Sequence, residues 1–280
     1  MLNVLFLLFL YVIIAQSSNI MVGYGGLLNV GQAAFFGTGA LVARLTWISG
    51  MPFYFAILLG GFSAVALSGF IGLPSLRLRG HYFAIGTLAL AIIARITIGN
   101  LFPGVSFIPN EYIVGYSLIL RYYLALFLSA TIILVVYLVF NSRLGLAILS
   151  IRDDEDAAQA IGVNIFKYKV IDFALSSFFV GLAGGLFAFF YISYYYYVPF
   201  GLLWCFEPIL ITFVGGAGTI SGPILGSILF VALKEAFAFT LGEISILIFG
   251  IVLILVILFL PGGLVSLPQK LSGGIAKPIV

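Results

Sequence analysis

Residues 118–170 read LILRYYLALFLSATIILVVYLVFNSRLGLAILSIRDDEDAAQAIGVNIFKYKV. The first part, 118–140, is an apolar run long enough to cross a bilayer, since roughly 20 residues at 1.5 Å rise span the ~30 Å hydrocarbon core. The last part, 150–170, holds seven of the chain's 21 charged residues, although charge makes up only 8% of the whole. A membrane-length run followed by a small polar island decides the fold, because the rest of the chain repeats the same alternation on a smaller scale.

Working outward, 63% of the 280 residues are hydrophobic and the mean hydropathy is +1.28. A water-soluble protein with so little charge could not cover its own surface. The fold class is therefore all-α, a polytopic integral membrane bundle, because unpaired backbone groups are too costly in lipid for anything but helices or closed barrels. Period-2 alternation over about ten residues, the mark of a barrel strand, is missing. Candidate spans are Leu2–Val22, Leu27–Trp47, Phe53–Pro74, Tyr82–Gly99, Leu118–Phe140, Lys169–Tyr191, Leu203–Val214, Ile220–Thr240 and Ile244–Leu260. The second and seventh are glycine-interrupted or short, so eight full spans with one re-entrant or broken helix fit as well as nine. The N-terminal run has no basic stretch before it and its apolar pattern continues through Ile20 to Val22, which reads as a retained span rather than a signal peptide.

Residues 1–280 form a single transmembrane domain with a connecting loop at about 141–168. One cysteine, Cys205, and one histidine, His81, leave no material for a disulfide, a redox pair or a typical metal site. The net charge of +3 is scattered between apolar segments, so nucleic acid is not a partner and the lipid bilayer is. Arg77, Arg79, Arg143, Arg152, Lys167, Lys169, Lys270 and Lys277 fall on one side if the spans simply alternate, while 101–117 falls on the other with Glu111 and no basic residue. The positive-inside rule then places the island and the C-terminus in the cytoplasm.

Within the island, Ser150-x-x-Asp153 has the form of a capping box. Asp153, Asp154, Glu155 and Asp156 crowd a first helical turn, where the helix dipole favours negative charge. Gly162 is a natural stop and Asn164 a cap for a second helix that enters the membrane. Ala157, Ala158 and Ile161 share one face of the short helix, suited to a groove on a soluble partner. The residues alone favour a solvated loop holding one marginal amphipathic turn.

Asp156-Ala157-Ala158-x-x-x-Gly162 resembles the E-A-A-x-x-x-G signature of ABC importer permeases, with Asp for Glu and without the later Leu-Pro of that motif. The blocks 23–43, 76–95, 150–170 and 213–230 are similar, in this order, to permeases of branched-chain amino acid ABC importers. The resemblance covers about residues 19–262. It implies that 153–162 is a coupling helix seated on a cytoplasmic ABC ATPase, that a second permease subunit and an extracytoplasmic substrate-binding protein complete the assembly, and that ATP is used by the partners. This chain itself carries no G-x-x-x-x-G-K-[ST] phosphate loop. It would be no enzyme, would bind no cofactor of its own, and would sit in the inner membrane of a prokaryotic cell. Permeases for urea and short amides are closely similar, and an ion-coupled secondary transporter is a further reading.

Glycine and charge inside the spans supply the remaining candidates. Gly181–Gly185 and Gly222–Gly226 are G-x-x-x-G pairs suited to close helix packing. Gly215, Gly216 and Gly218, like the run Gly23–Gly26, can break a helix and expose backbone groups to a substrate path. Arg95 and Glu207 are the pathway or gate candidates, since an intramembrane charge needs a partner, water or a path, and an ion pair between their helices is the competing reading. Asp172, Arg44 and the Lys234–Glu235 pair are further ionisable residues in or near spans. YISYYYY (191–197) reads as an interfacial tyrosine belt.

Overall fold

The computed structural model describes residues 1–76, 78, 80–108, 117–238 and 262–266. Helix α1 (Leu2–Asn19) continues into a π-helical turn, Ile20–Tyr24. Then come α2 (Gln32–Ile48), α3 (Phe53–Ser75), α4 (His81–Leu101) and α5 (Leu118–Phe140). The polar island contains α6 (Arg143–Asp153) and α7 (Glu155–Ala160), and α8 (Ile165–Phe190) follows. Helices α9 (Leu203–Gly215) and α10 (Ser221–Ala238) form a closing pair. Among the described residues five helical stretches are long and apolar enough to cross a membrane, Leu2–Tyr24, Phe53–Phe70, His81–Leu101, Leu118–Phe140 and Ile165–Phe190. The expected ninth span, Ile244–Leu260, and Arg77, Arg79, Glu111, Lys270 and Lys277 lie outside the described residues.

The polytopic helical bundle anticipated from hydropathy is present, with two differences at its glycine-rich breaks. Helix α2 starts at Gln32 rather than Leu27, because residues 25–31 run without regular structure. Their backbone groups are met by side chains: Val30 N–H donates to Thr87 Oγ1 at 3.2 Å and Gly31 N–H to Asn29 Oδ1 at 2.9 Å. Non-helical backbone at membrane depth is tolerated when protein satisfies it in this way. Helix α8 starts four residues before the expected Lys169, so one continuous helix links the polar island to the membrane core.

Helix α8 is the hub, packed against α2 and α3. Small residues make this possible. A Cβ on Gly181 would lie 2.5 Å from Ala64 Cβ and 2.8 Å from Gly60 O, and one on Gly185 only 3.1 Å from Ile57 Cα. Lipid tails offer no hydrophobic drive for association, so van der Waals contact between such smooth faces supplies the attraction. Helix α1 packs against α5, α8, α9 and α10 and buries Gln16, Ser17, Ser18 and Asn19. Ser17 Oγ donates to Ser176 O at 2.7 Å, and Ser176 Oγ donates back to Ser17 O at 2.8 Å. Apolar residues on the outer faces of α3, α4 and α5, such as Phe62, Phe70, Ile93 and Phe127, are exposed, as suits helices that face hydrocarbon.

The end of the bundle away from the polar island carries a small two-stranded antiparallel sheet, β1 (Val105–Phe107) against β2 (Ser193–Tyr195), with Val105 opposite Tyr195. This sheet takes the middle of the tyrosine run, so Tyr194 is buried rather than part of a belt. Its ring lies 4.8 Å from the guanidinium of Arg44, which also donates to Tyr191 O. Arg121, inside the fifth span and absent from the candidates above, donates from Nε to Phe189 O at 2.8 Å and from Nη1 to Ser117 O at 3.0 Å. Both arginines are fully buried and donate to backbone carbonyls at helix ends, and Arg44 lies against the Tyr194 ring as well.

Candidate functional site

The polar island folds differently from the capping-box reading at its start. Ser142 is the cap, its Oγ accepting from Leu144 N–H at 3.2 Å, so α6 runs on through Ser150. Ser150 Oγ donates to Ala147 O at 2.8 Å inside that helix and caps nothing. The cap of α7 is Asp154, with an extended backbone (φ −159°) and Oδ1 accepting from Asp156 N–H at 2.9 Å and Ala157 N–H at 3.0 Å. A short carboxylate that bonds its own following amides outcompetes helix continuation, and this splits the segment in two. Asp153 closes α6, its Oδ1 accepting from Arg152 Nε and Nη2 at 3.1 Å each. Glu155 and Asp156 occupy the first turn of α7, where the dipole favours them.

The end of α7 matches expectation. Gly162 sits at φ +89°, where a side chain is strained. Its N–H donates to Gln159 O and Val163 N–H to Ala158 O, both at 3.0 Å. Asn164 Oδ1 then accepts from Lys167 N–H at 3.1 Å and opens α8. Asp154→Ala should therefore cost about 1 kcal/mol, the usual worth of an N-cap, while Ser150→Ala should be near neutral. Hydrogen exchange at residues 155–160 is the measurement, with faster exchange in Asp154→Ala alone.

The three residues expected on one apolar face, Ala157 and Ala158 of α7 and Ile161 at its C-cap, divide between two directions. Ala158 is 2% exposed and packs inward, whereas Ala157 is exposed and Ile161 is 77% exposed. Of the expected face, the outward part is therefore Ala157 and Ile161 without Ala158, and Ala160 is exposed as well. Inward, Glu155 forms an ion pair with the buried Lys169 of α8. An open cavity of about 650 Å³ lies beside this pair, lined by Leu76, Glu155, Gln159, Gly162, Phe166 and Lys169 among others.

Arg152 joins the island to the first glycine-rich break, and Asn19 joins that region to the second. Its Nη1 donates to Gly23 O at 2.9 Å, in the π-helical turn that ends α1. Asn19 Oδ1 accepts from Gly218 N–H at 2.8 Å, and its Nδ2 donates to Thr219 O at 2.9 Å. Gly216 and Gly218 adopt φ +128° and +79°, a turn that L side chains resist. Gly215 and Gly222 meet face to face across it, and Gly226 lies against Ile211 O. Helix α9 ends at Gly215, and Gly216 and Gly218 lie in the turn before α10. Around that break, the Gly218 amide and the Gly23 and Thr219 carbonyls bond to Asn19 and Arg152.

The sequence matches the family "Branched-chain amino acid transport system / permease component" over residues 1–257. The chain belongs to that family. It is 29% identical to the high-affinity branched-chain amino acid transport system permease protein LivM of Escherichia coli K12, across 96% of this chain and 71% of the relative. The LivM protein of Salmonella typhimurium LT2 is similar to the same extent. A probable branched-chain amino acid transport permease protein LivM of Methanocaldococcus jannaschii is 24% identical, across 93% of this chain and 91% of that one. These relatives are transport permeases, a non-enzymatic role. No solved structure matches the chain.

Inside the permease, the pairing of Arg95 with Glu207 is not formed. Arg95 is exposed on α4. Glu207 instead accepts from Tyr11 Oη at 2.8 Å through Oε2, and from Lys234 Nζ at 3.3 Å through Oε1. Lys234 Nζ also donates to Tyr11 Oη at 2.6 Å. Residue spacing alone does not select this partner, because α4 and α10 are equally available until packing sets α10 beside α1 and α9. Asp172 is fully buried in α8, packed against Gly25 one turn from Lys169, and its two oxygens make no hydrogen bond to the described residues.

Proposed function

We propose that this chain is one of two permease subunits of an ATP-binding-cassette importer that moves branched-chain amino acids into a prokaryotic cytoplasm. Family membership and the named relatives support the substrate class. The observation that carries the mechanism is the position of α7, a capped two-turn element with Ala157 and Ile161 turned outward, tied inward by Glu155 and flanked by Arg152 at the end of α6. A small apolar surface on a rigidly held short helix suits a groove on a soluble ATPase. Arg143 and Lys167 are exposed at the same end, and basic loop residues favour the cytoplasmic side.

Force on α7 reaches α8 through the Glu155–Lys169 pair and takes a second route inward through the adjoining end of α6. Arg152 passes it to Gly23 at the end of α1, and Asn19 passes it to the Gly218–Thr219 turn between α9 and α10. A shift there tilts the closing helix pair, which is the motion alternating access needs. ATP hydrolysis takes place on the partner subunits, and an extracytoplasmic binding protein delivers the amino acid.

The test is reconstitution in vesicles with two ATPases, the second permease and the binding protein. L-Leucine uptake should require ATP and should fall at least tenfold in Ala157→Asp/Ile161→Asp, which places charge on the docking surface. Wild-type uptake by that variant, or uptake without the ATPases, overturns the reading.

A further inference from the structure

The Tyr11–Glu207–Lys234 cluster lies well inside the bundle. Tyr11 is nine residues into α1 and Lys234 thirteen residues into α10, about 14 and 20 Å from the respective helix starts at 1.5 Å per residue. Glu207 is only 12% exposed, whereas the Lys234 side chain is 47% exposed. An ammonium group at this depth is expensive against hydrocarbon, so the surface that shows it faces water or another subunit rather than lipid tails. The Lys234–Glu207 contact is the looser, outward edge of the cluster, while the Tyr11 bonds hold its inner side.

The surroundings of this charge pair are apolar. Leu203, Phe206, Leu210 and Phe213 recur at helical spacing along α9 on either side of Glu207, and Leu203, Phe206 and Phe213 are each more than a third exposed. An anion and a cation side by side, next to an apolar strip, match a free amino acid with an apolar side chain. Such a ligand carries an ammonium and a carboxylate on one carbon, with the side chain pointing away.

We propose that Tyr11, Glu207 and Lys234 form a mid-membrane station for the substrate. Glu207 accepts from the α-ammonium, Lys234 donates to the α-carboxylate, Tyr11 holds both side chains in place, and the apolar side chain lies along Phe206 and Leu210. In the empty state Lys234 and Glu207 neutralise each other, which lowers the cost of keeping both charges at this depth. The substrate exchanges that contact for two of its own. The inference rests on the importer reading above.

The experiment measures L-leucine taken up per ATP hydrolysed by the complete reconstituted complex. Glu207→Gln/Lys234→Gln leaves a hydrogen-bonding side chain at both positions but removes both charges. The ratio should fall at least tenfold, since bonds to charged groups are the strong ones. A pair that only holds helices together lowers uptake and hydrolysis in proportion, and an unchanged ratio overturns the inference. Should the double variant fail to assemble, Tyr11→Phe decides, with a several-fold fall in the ratio expected and an unchanged ratio counting against it. If the unaltered complex takes up no L-leucine, the importer reading itself falls, a result visible without any variant.

Discussion

Gly181→Leu is expected to destabilise the protein by more than about 3 kcal/mol, at or beyond the upper end for overpacked cores. The reason is that α2, α3 and α8 meet backbone to backbone. A Cβ on Gly181 falls 2.5 Å from Ala64 Cβ, 2.8 Å from Gly60 O and 3.0 Å from Gly61 Cα, and none of these is the end of a flexible side chain. On the α2 side, a Cβ on Gly39 would run into Gly181 O. A leucine must therefore push α8 away from its neighbours along several turns. Gly69→Leu is the matched control, because Gly69 lies in α3 with nothing within 4 Å of its missing Cβ. There the substitution should stabilise by a few tenths to about 1 kcal/mol through helix propensity. Thermal unfolding in detergent reads both, and the opposite signs make the result independent of any general effect of added bulk.

The second large effect concerns the Glu155–Lys169 pair that ties α7 to α8. The two partners are not equivalent, because the Lys169 side chain is 7% exposed and that of Glu155 28%. Glu155→Gln leaves an ammonium buried without its counter-charge, and about 2 kcal/mol is expected, below the range for fully buried pairs because water reaches this site. Lys169→Met leaves a carboxylate that water can reach, and about 1 kcal/mol or less is expected. Asp172, one turn along α8 with both oxygens unbonded to the described residues, offers the stranded ammonium a substitute. Adding Asp172→Asn to Glu155→Gln should therefore cost more than the sum of the single changes. Unfolding midpoints of the four variants, with exchange rates at 155–169, decide it.

Much of the architecture was legible in the sequence because lipid leaves the backbone few choices. Leu118–Phe140 is a helix over the expected residues, and Phe53 opens α3 as expected. The stop at Gly162 and the cap at Asn164 were legible as well, since both depend on a single residue's local chemistry. The opening of α7 was not. Ser150-x-x-Asp153 fits the capping pattern, but Ser142 had already started a helix through it, and Asp154 took the role. Two signals compete for one segment there, and only the register of the preceding helix separates them.

Side-chain partners were the least legible. Glu207 was visible as an intramembrane charge, but its partner proved to be Lys234 with Tyr11 rather than Arg95. Arg121 and the polar run Gln16–Asn19 gave a signal too, as polar residues inside apolar helices, and the structure shows each of them buried.

The sequence by itself determined that this protein is a helical membrane bundle, where its long helices run, and that its charge gathers at residues 150–170. Those features follow from hydropathy and from local backbone preferences, which act over a few residues. Only the tertiary structure decided that Arg152 reaches Gly23, that Asn19 bridges to the Gly218 turn, and that Glu207 meets Lys234. These contacts join residues 27 to 199 positions apart. Their existence depends on how glycine-smoothed helix faces pack, which no local pattern encodes.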